Sequence, residues 1–226
     1  MSGTIGFVLV GQSGRDDVLP VVRTLLGPGV EVAAKGALDG LSPAELARMA
    51  PVPGEHPVVT RLDDGSHVVV SKPALVPRIE RCLTELRDAS VKVAALMCTG
   101  TFPPFAVPEG LLLLRGQQVV DNGVRAACPA GGKVGVLVPL PEQEAFSGGK
   151  FRDMGFDVVT AHANPYGSLD DVRVAAAAFR DRDVVVLHCM GYNGDHKRVV
   201  REACGRPTLQ PNPLIARLVA ELAGAC

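Results

Sequence analysis

Short apolar runs recur along the chain, and most are followed by a stretch whose apolar positions return every three or four residues. The runs TIGFVLV (4–10), GVEVAAKG (29–36), VKVAALMC (91–98), KVGVLVPL (133–140), FDVVTAHA (156–163) and DVVVLHC (183–189) are nearly continuous rather than strictly alternating. Such strands belong to a sheet covered on both faces. Between them the spacing predicts helices at 16–26, 75–86, 117–128, 141–155, 168–181 and 193–205. A short strand in PTLQP and a helix in PLIARLVAELAG close the chain. The expected class is α/β with parallel sheets.

Local signals sharpen several ends. Pro20 must sit in the first turn of its helix or kink it. Ser42-Pro43-Ala44-Glu45 has the order of a helix start: a serine cap, proline first, glutamate third. Asp64-Gly65 lies between the two β-rich arms of VVTRLDDGSHVVVS (58–71), the strongest hairpin signal in the sequence. Ser168 reads as a cap, and Gly205 as the stop of the helix before it. Gly123 weakens the helix at 117–128.

The chain also echoes itself. IGFVLVGQ from residue 5 resembles VGVLVPLP from residue 134, and VAALMCTG resembles VVVLHCMG. The interval from first strand to cysteine strand is longer in the first half by about the size of the hairpin and its flanks. Each half then reads as strand, helix, strand, helix, cysteine-bearing strand, with the hairpin inserted into the first. Such similarity predicts two like lobes: 1–116 with 206–226, and 117–205.

The length of 226 residues allows one large domain or two small lobes. Hydrophobic residues at 47% and charged residues at 21% exclude a disordered chain. A net charge of −1 without a basic stripe offers nothing to a nucleic acid. The apolar runs fall well short of the roughly 20 residues a membrane-spanning helix needs. The opening MSGTIGFVLVG lacks a basic n-region and a clear cleavage pattern, so a cytoplasmic location is expected. Six cysteines, at 82, 98, 128, 189, 204 and 226, contain no C-x-x-C pair. Free thiols are expected, with Cys82, Cys128, Cys204 and Cys226 as packing.

Cys98 and Cys189 stand apart because both occupy the pattern L-x-C-x-G at the end of an apolar strand. Ligands of parallel α/β sheets bind beyond the carboxyl ends of strands. Two thiols there suit a carbon acid: a thiolate removes a proton from one face and a thiol returns one to the other. Thr99, Gly100 and Thr101 after Cys98, and Gly191 with Tyr192 after Cys189, supply small or polar lining and backbone donors for a developing enediolate. His188 is a candidate partner of a reacting thiol, although its strand position can point it away from Cys189. His196 reads as a solvated or capping residue. The first strand ends in a polar loop, GQSGRDD, that offers Gln12, Ser13 and Arg15 to a substrate carboxylate, Arg15 in a bidentate way. Its spacing is not G-x-G-x-x-G, so no dinucleotide is expected. SGGKF (147–151) lacks the first glycine and final Ser/Thr of a P-loop.

The strand–CTGT and strand–HCMG pair resembles the aspartate/glutamate racemase superfamily, which includes hydantoin racemases, maleate isomerases and arylmalonate decarboxylases. Over nearly its full length the chain resembles the AroM family within or beside it, through GQSGRDDVLP, LMCTGT, VGVLVPLPEQ, VVVLHCMGY and NPLIARLVAELAG. The resemblance implies two pseudo-symmetric parallel-sheet α/β lobes with the active site in the cleft between them. It implies chemistry without cofactor or metal, and Cys98 and Cys189 as the catalytic positions. It does not fix a substrate. Amino-acid racemases of the group usually read C-N-T at the first cysteine and C-T-H at the second. Here the chain reads Cys98-Thr99-Gly100 and Cys189-Met190-Gly191, which alters the expected carboxylate grip.

The expectation is therefore a racemase- or epimerase-like isomerase taking a small carboxylate or related carbon acid. Two alternatives stand beside it. One is a decarboxylase or cis–trans isomerase using a single cysteine. The other is a binding protein of the AroM family without turnover. Neither nucleic acid nor membrane is expected as a partner. A homodimer stays open: Leu111-Leu112-Leu113-Leu114 is apolar enough for an interface and equally readable as a buried strand.

Overall fold

The computed structural model describes residues 4–14 and 16–224. They divide into two compact units, Met1–Gln117 with Asn212–Cys226, and Gln118–Pro211. In chain order the first lobe holds β1 (Ile5–Leu9), α1 (Leu19–Leu26), β2 (Val32–Gly36), α2 (Pro43–Arg48), β3 (Pro57–Arg61), β4 (His67–Ser71), α3 (Lys72–Asp88), β5 (Val93–Met97) and β6 (Leu112–Arg115). Then come α4 (Gly116–Ala127), β7 (Lys133–Val138), α5 (Glu144–Asp153), β8 (Asp157–His162), α6 (Leu169–Ala176), β9 (Val184–Leu187), α7 (Gly194–Cys204) and β10 (Thr208–Leu209). The last helix, α8 (Pro211–Leu222), returns the chain to the first lobe.

Each lobe is built on one four-stranded parallel sheet. The orders are β2-β1-β5-β6 and β8-β7-β9-β10. Matching β1 with β7, β2 with β8, β5 with β9 and β6 with β10 makes them the same order, so the sequence echo is a repeat of topology. Ile5 aligns with Val32 and Val93, and Val134 aligns with Val158 and Val184. The central strands β1, β5, β7 and β9 are buried almost throughout, as their continuous apolar runs require. The expected hairpin is an antiparallel pair, β3 with β4, belonging to the first lobe alone.

Packing explains the rest of the pattern. Along α3, Leu75, Ile79, Cys82, Leu83 and Leu86 return at helical spacing and are all buried in the first-lobe core with Val8, Val58, Val70 and Leu96. Each large apolar side chain taken from water there stabilises the lobe by about 1.5–3 kcal/mol. The second core joins Leu137, Val172, Phe179, Val185, Leu187, Tyr192 and Val199. Gly135 interrupts β7 for a packing reason: a Cβ there would lie 2.7 Å from the Phe179 ring. Leu112, at 52% exposure, opens an edge strand rather than a buried one.

The helix ends follow the local signals. Pro20 sits in the first turn of α1. Ser42 and Glu45 form a reciprocal cap, with the Ser42 amide donating to Glu45 Oε2 at 2.8 Å. Ser168 Oγ accepts from the Asp170 amide. Gly205 ends α7 in the left-handed region at φ 70°, which glycine adopts without cost. No helix among the described residues is long and apolar enough to cross a membrane.

Candidate active site

In the first lobe β5 ends at Met97 and the chain turns at Cys98. The Cys98 amide donates to the Leu96 carbonyl at 3.0 Å, and the Gly100 amide points at Cys98 Sγ at 3.4 Å. In the second lobe β9 ends at Leu187. The Cys189 amide donates to the Leu187 carbonyl at 2.9 Å, and the Gly191 amide points at Cys189 Sγ at 3.4 Å. The L-x-C-x-G repeat is thus one backbone device made twice. It folds the chain back so that a main-chain N–H addresses the sulfur, and such a donor favours the thiolate over the thiol.

The two devices have different surroundings. Cys98 is buried and belongs to the first-lobe core, whereas Cys189 is half-buried. Thr99 is buried at 4% exposure and Thr101 is exposed. Gly100 meets a residue the sequence reading passed over: a Cβ there would lie 3.1 Å from Lys72 Cε and 3.2 Å from Lys72 Nζ. The racemase pattern C-N-T would put a threonine side chain at that position. Here glycine leaves the room to a lysine.

The loop after β1 is tied down at the same end of the sheet. Gln12 Oε1 accepts from the Asp63 amide at 2.7 Å, which joins the loop to the hairpin turn. The Ser13 amide donates to Asp39 Oδ1 at 2.7 Å, and Gly36 donates to Asp39 Oδ2 at 2.8 Å. Gln12 holds the loop's shape through its side-chain oxygen and Ser13 through its backbone amide. Arg15, the expected carboxylate clamp, lies outside the described residues.

In the second lobe both ring nitrogens of His188 have a close polar neighbour. Its Nε2 is 3.0 Å from Lys150 Nζ and its Nδ1 is 3.3 Å from Ser147 Oγ. An ammonium can only donate, so Nε2 is the acceptor and Nδ1 carries the proton. Lys150 also donates to Asp121 Oδ1 at 2.6 Å, and the ring packs edge-on against Phe151. Asp121, Lys150, Ser147 and His188 form one buried polar chain that no motif announced. Its one readable trace is the three-residue spacing of Ser147 and Lys150, which puts both on one face of α5.

Tyr192 was expected near the substrate and is a core residue instead. It is fully buried, its hydroxyl donates to the Ala163 carbonyl at 2.7 Å, and burial pushes that hydroxyl well above its ordinary pKa. Gly191 is needed for space: a Cβ would lie 2.8 Å from Tyr166 Oη and 2.9 Å from Pro165 Cγ. His196 is buried rather than solvated, and it caps α7 by accepting the Asn193 amide at Nδ1, 3.0 Å away. Among the other thiols, burial pushes Cys82 up to about 11 and Cys128 upward, while Cys204 donates to the Val200 carbonyl. Cys226 lies outside the described residues. Among the described residues, no group of three or more His, Cys, Asp or Glu is placed to hold a metal ion.

The sequence pattern of the AroM protein family matches residues 5–223. The chain belongs to the AroM family. No curated protein sequence matches it. Among solved structures it is similar to the aspartate racemase of Picrophilus torridus, with a TM-score of 0.65 over 98% of this chain and 94% of that one at 12% identity. It is similar to arylmalonate decarboxylase, with a TM-score of 0.61 over 96% and 92% at 16% identity. It is similar to the maleate isomerase of Pseudomonas putida, at 0.61 over 97% and 92% with 14% identity. At these identities the likeness is one of fold. This AroM chain has the two-lobed architecture of the Asp/Glu racemase-like proteins, a fold that carries racemases, a decarboxylase and an isomerase.

Proposed function

We propose that the protein is a cofactor-independent racemase or epimerase acting on a small carboxylate or related carbon acid, with Cys98 and Cys189 as its two acid–base groups. The observation that carries this reading is the matched cradle: in each lobe the amide two residues after the cysteine points at Sγ at 3.4 Å, at the carboxyl end of an equivalent strand. Packing alone gives no reason to repeat that geometry.

One thiolate takes the proton from the carbon next to the carboxylate, and the C–H electron pair passes into the enediolate. The other thiol gives its proton to the opposite face of the same carbon. The first sulfur ends as a thiol and the second as a thiolate, so no proton or electron is gained or lost. Polar groups around Thr99 and Thr101 are the donors for the enediolate oxygens, while the Gly100 and Gly191 amides hold the two sulfurs. The ligand is a small molecule.

The test is proton NMR in D₂O with amino acids, hydantoins, 2-hydroxy acids, malonates and maleate. Loss of an α-proton signal is expected for one class, with the other enantiomer then resolved by chiral chromatography. Cys98→Ser and Cys189→Ser should each abolish racemisation. Racemisation surviving in either variant would sink the two-thiol scheme. Release of carbon dioxide, or a geometric isomer in place of an enantiomer, would replace it with one-thiol chemistry. Thermal stabilisation by a ligand with no product would leave a binding protein.

A further inference from the structure

The two cysteine cradles match in backbone geometry, and a buried lysine stands beside the first. Lys72 is the first residue of α3 and follows β4 directly, so the hairpin that only the first lobe possesses delivers it. The residue is buried at 7% exposure, so the groups around it must compensate its ammonium. Its side chain runs to the cysteine turn. A Cβ built on Gly100 would lie 3.2 Å from Lys72 Nζ and 3.6 Å from Cys98 Sγ, so ammonium and sulfur flank the same small space. The Gly100 amide addresses that sulfur as well. In the second lobe a half-buried lysine, Lys150, is bonded to Asp121 and His188.

We propose that Lys72 is a positioning residue that holds Cys98 as the resting thiolate, which makes Cys98 the base that opens the reaction and Cys189 the acid that completes it. The assignment of roles rests on the two-thiol reading above; the ionisation of Cys98 does not. A cation within about 4–6 Å of an acid favours its charged form by about 1–3 pKa units, which multiplies the thiolate fraction at neutral pH about tenfold or more. After one turnover Cys98 is a thiol and Cys189 a thiolate. Proton loss from the first and uptake by the second, both through water, restore the starting state.

Other titratable groups on the surrounding elements are named because they share this field. His56, before β3, is held below its ordinary value by burial first and by the Lys72 charge second. Arg78 of α3 donates to the carbonyls of Ala37 and Asp39, and the Asp39 carboxylate accepts the amides of Gly36 and Ser13. Asp63, in the hairpin turn, lies beside Gly14. Cys82 is pushed up to about 11 by burial.

The experiment is iodoacetamide labelling of the full-length reduced protein across a pH series, with the rate at each cysteine read by peptide mass spectrometry. Cys98 is expected to label at lower pH than a free thiol, whose pKa is about 8.5, and at lower pH than Cys189. Lys72→Met should slow Cys98 labelling at neutral pH about tenfold and leave Cys189 unchanged, Lys72→Arg should keep the fast rate, and His56→Asn should shift it little. An unchanged Cys98 profile in folded Lys72→Met, or an equal shift at Cys189, overturns the proposal. If Lys72→Met does not fold, the wild-type profile decides: Cys98 titrating no lower than a free thiol overturns it. No substrate is needed, so a silent deuterium-exchange screen would count against the racemase reading and leave this result standing.

Discussion

Replacing Lys150 by methionine removes a charge and keeps the length of the side chain. Lys150 Nζ sits 2.6 Å from Asp121 Oδ1, and the two side chains are 15% and 10% exposed. Two unit charges 4 Å apart at an effective dielectric of 20 attract by about 4 kcal/mol, and removing one partner from a buried pair costs about 3–5 kcal/mol. With a small part of each side chain still in water, the expected loss is at the lower end, about 3 kcal/mol. That is a large share of the roughly 5–15 kcal/mol that holds a folded protein together. Asp121→Leu in the same background should return most of the loss, giving a coupling of about 2 kcal/mol or more in a double-mutant cycle. Urea unfolding with linear extrapolation measures the four corners. The same variant has a second signature. Without the ammonium, nothing on Lys150's side holds His188 Nε2 as an acceptor, so the Nδ1–H tautomer inferred from the lysine contact should lose its dominance in a long-range nitrogen–proton NMR correlation. A coupling below about 0.5 kcal/mol, or a wild-type ring already protonated at Nε2, would refute the reasoning.

Two further expectations follow from the same packing. Burial holds His196 below its ordinary pKa, so the unfolded chain binds the extra proton first as pH falls below about 6.5. Stability should therefore drop with falling pH in that window and level off below the folded value. His196→Gln, which keeps a capping acceptor, should flatten the slope of melting temperature against pH without abolishing it, because His56 is shifted the same way. An unaltered slope would remove His196 from the account. Gly191→Ala puts its Cβ 2.8 Å from Tyr166 Oη and 2.9 Å from Pro165 Cγ, and a backbone shift that relieves this contact lifts the amide from Cys189 Sγ. Labelling of Cys189 at neutral pH should slow several-fold while Cys98 keeps its rate; equal rates at Cys189 in variant and wild type would show that the cradle amide does not act on the thiol.

Much of the fold was legible because single residues carry their own geometry. Pro20, Ser42, Asp64-Gly65, Ser168 and Gly205 each mark an end or a turn by backbone chemistry that needs no tertiary context. The cysteine turns were legible because a five-residue pattern repeats. What stayed hidden depends on long-range contact. Lys72 reads as a connector between hairpin and helix, and only the packing of β4 and α3 brings it to Gly100, 28 positions away. Asp121, Lys150 and His188 come from three elements, and their sequence separations of 29 and 38 leave no local trace. Tyr192 is the opposite case. It follows the second cysteine closely, yet the turn at Gly191 sends its side chain into the core.

The return of α8 to the first lobe sets an order of assembly on the ribosome. The second lobe is one continuous stretch and can be completed as soon as residue 211 has been made. The first lobe holds β1 to β6 but is not complete without α8, because Ile215 packs beside Gly116, with Cδ1 2.8 Å from where a Cβ there would stand. The half made first is finished last. Domains generally fold as units during synthesis, so the earlier segment lacks α8 until the residues of the second lobe have been made.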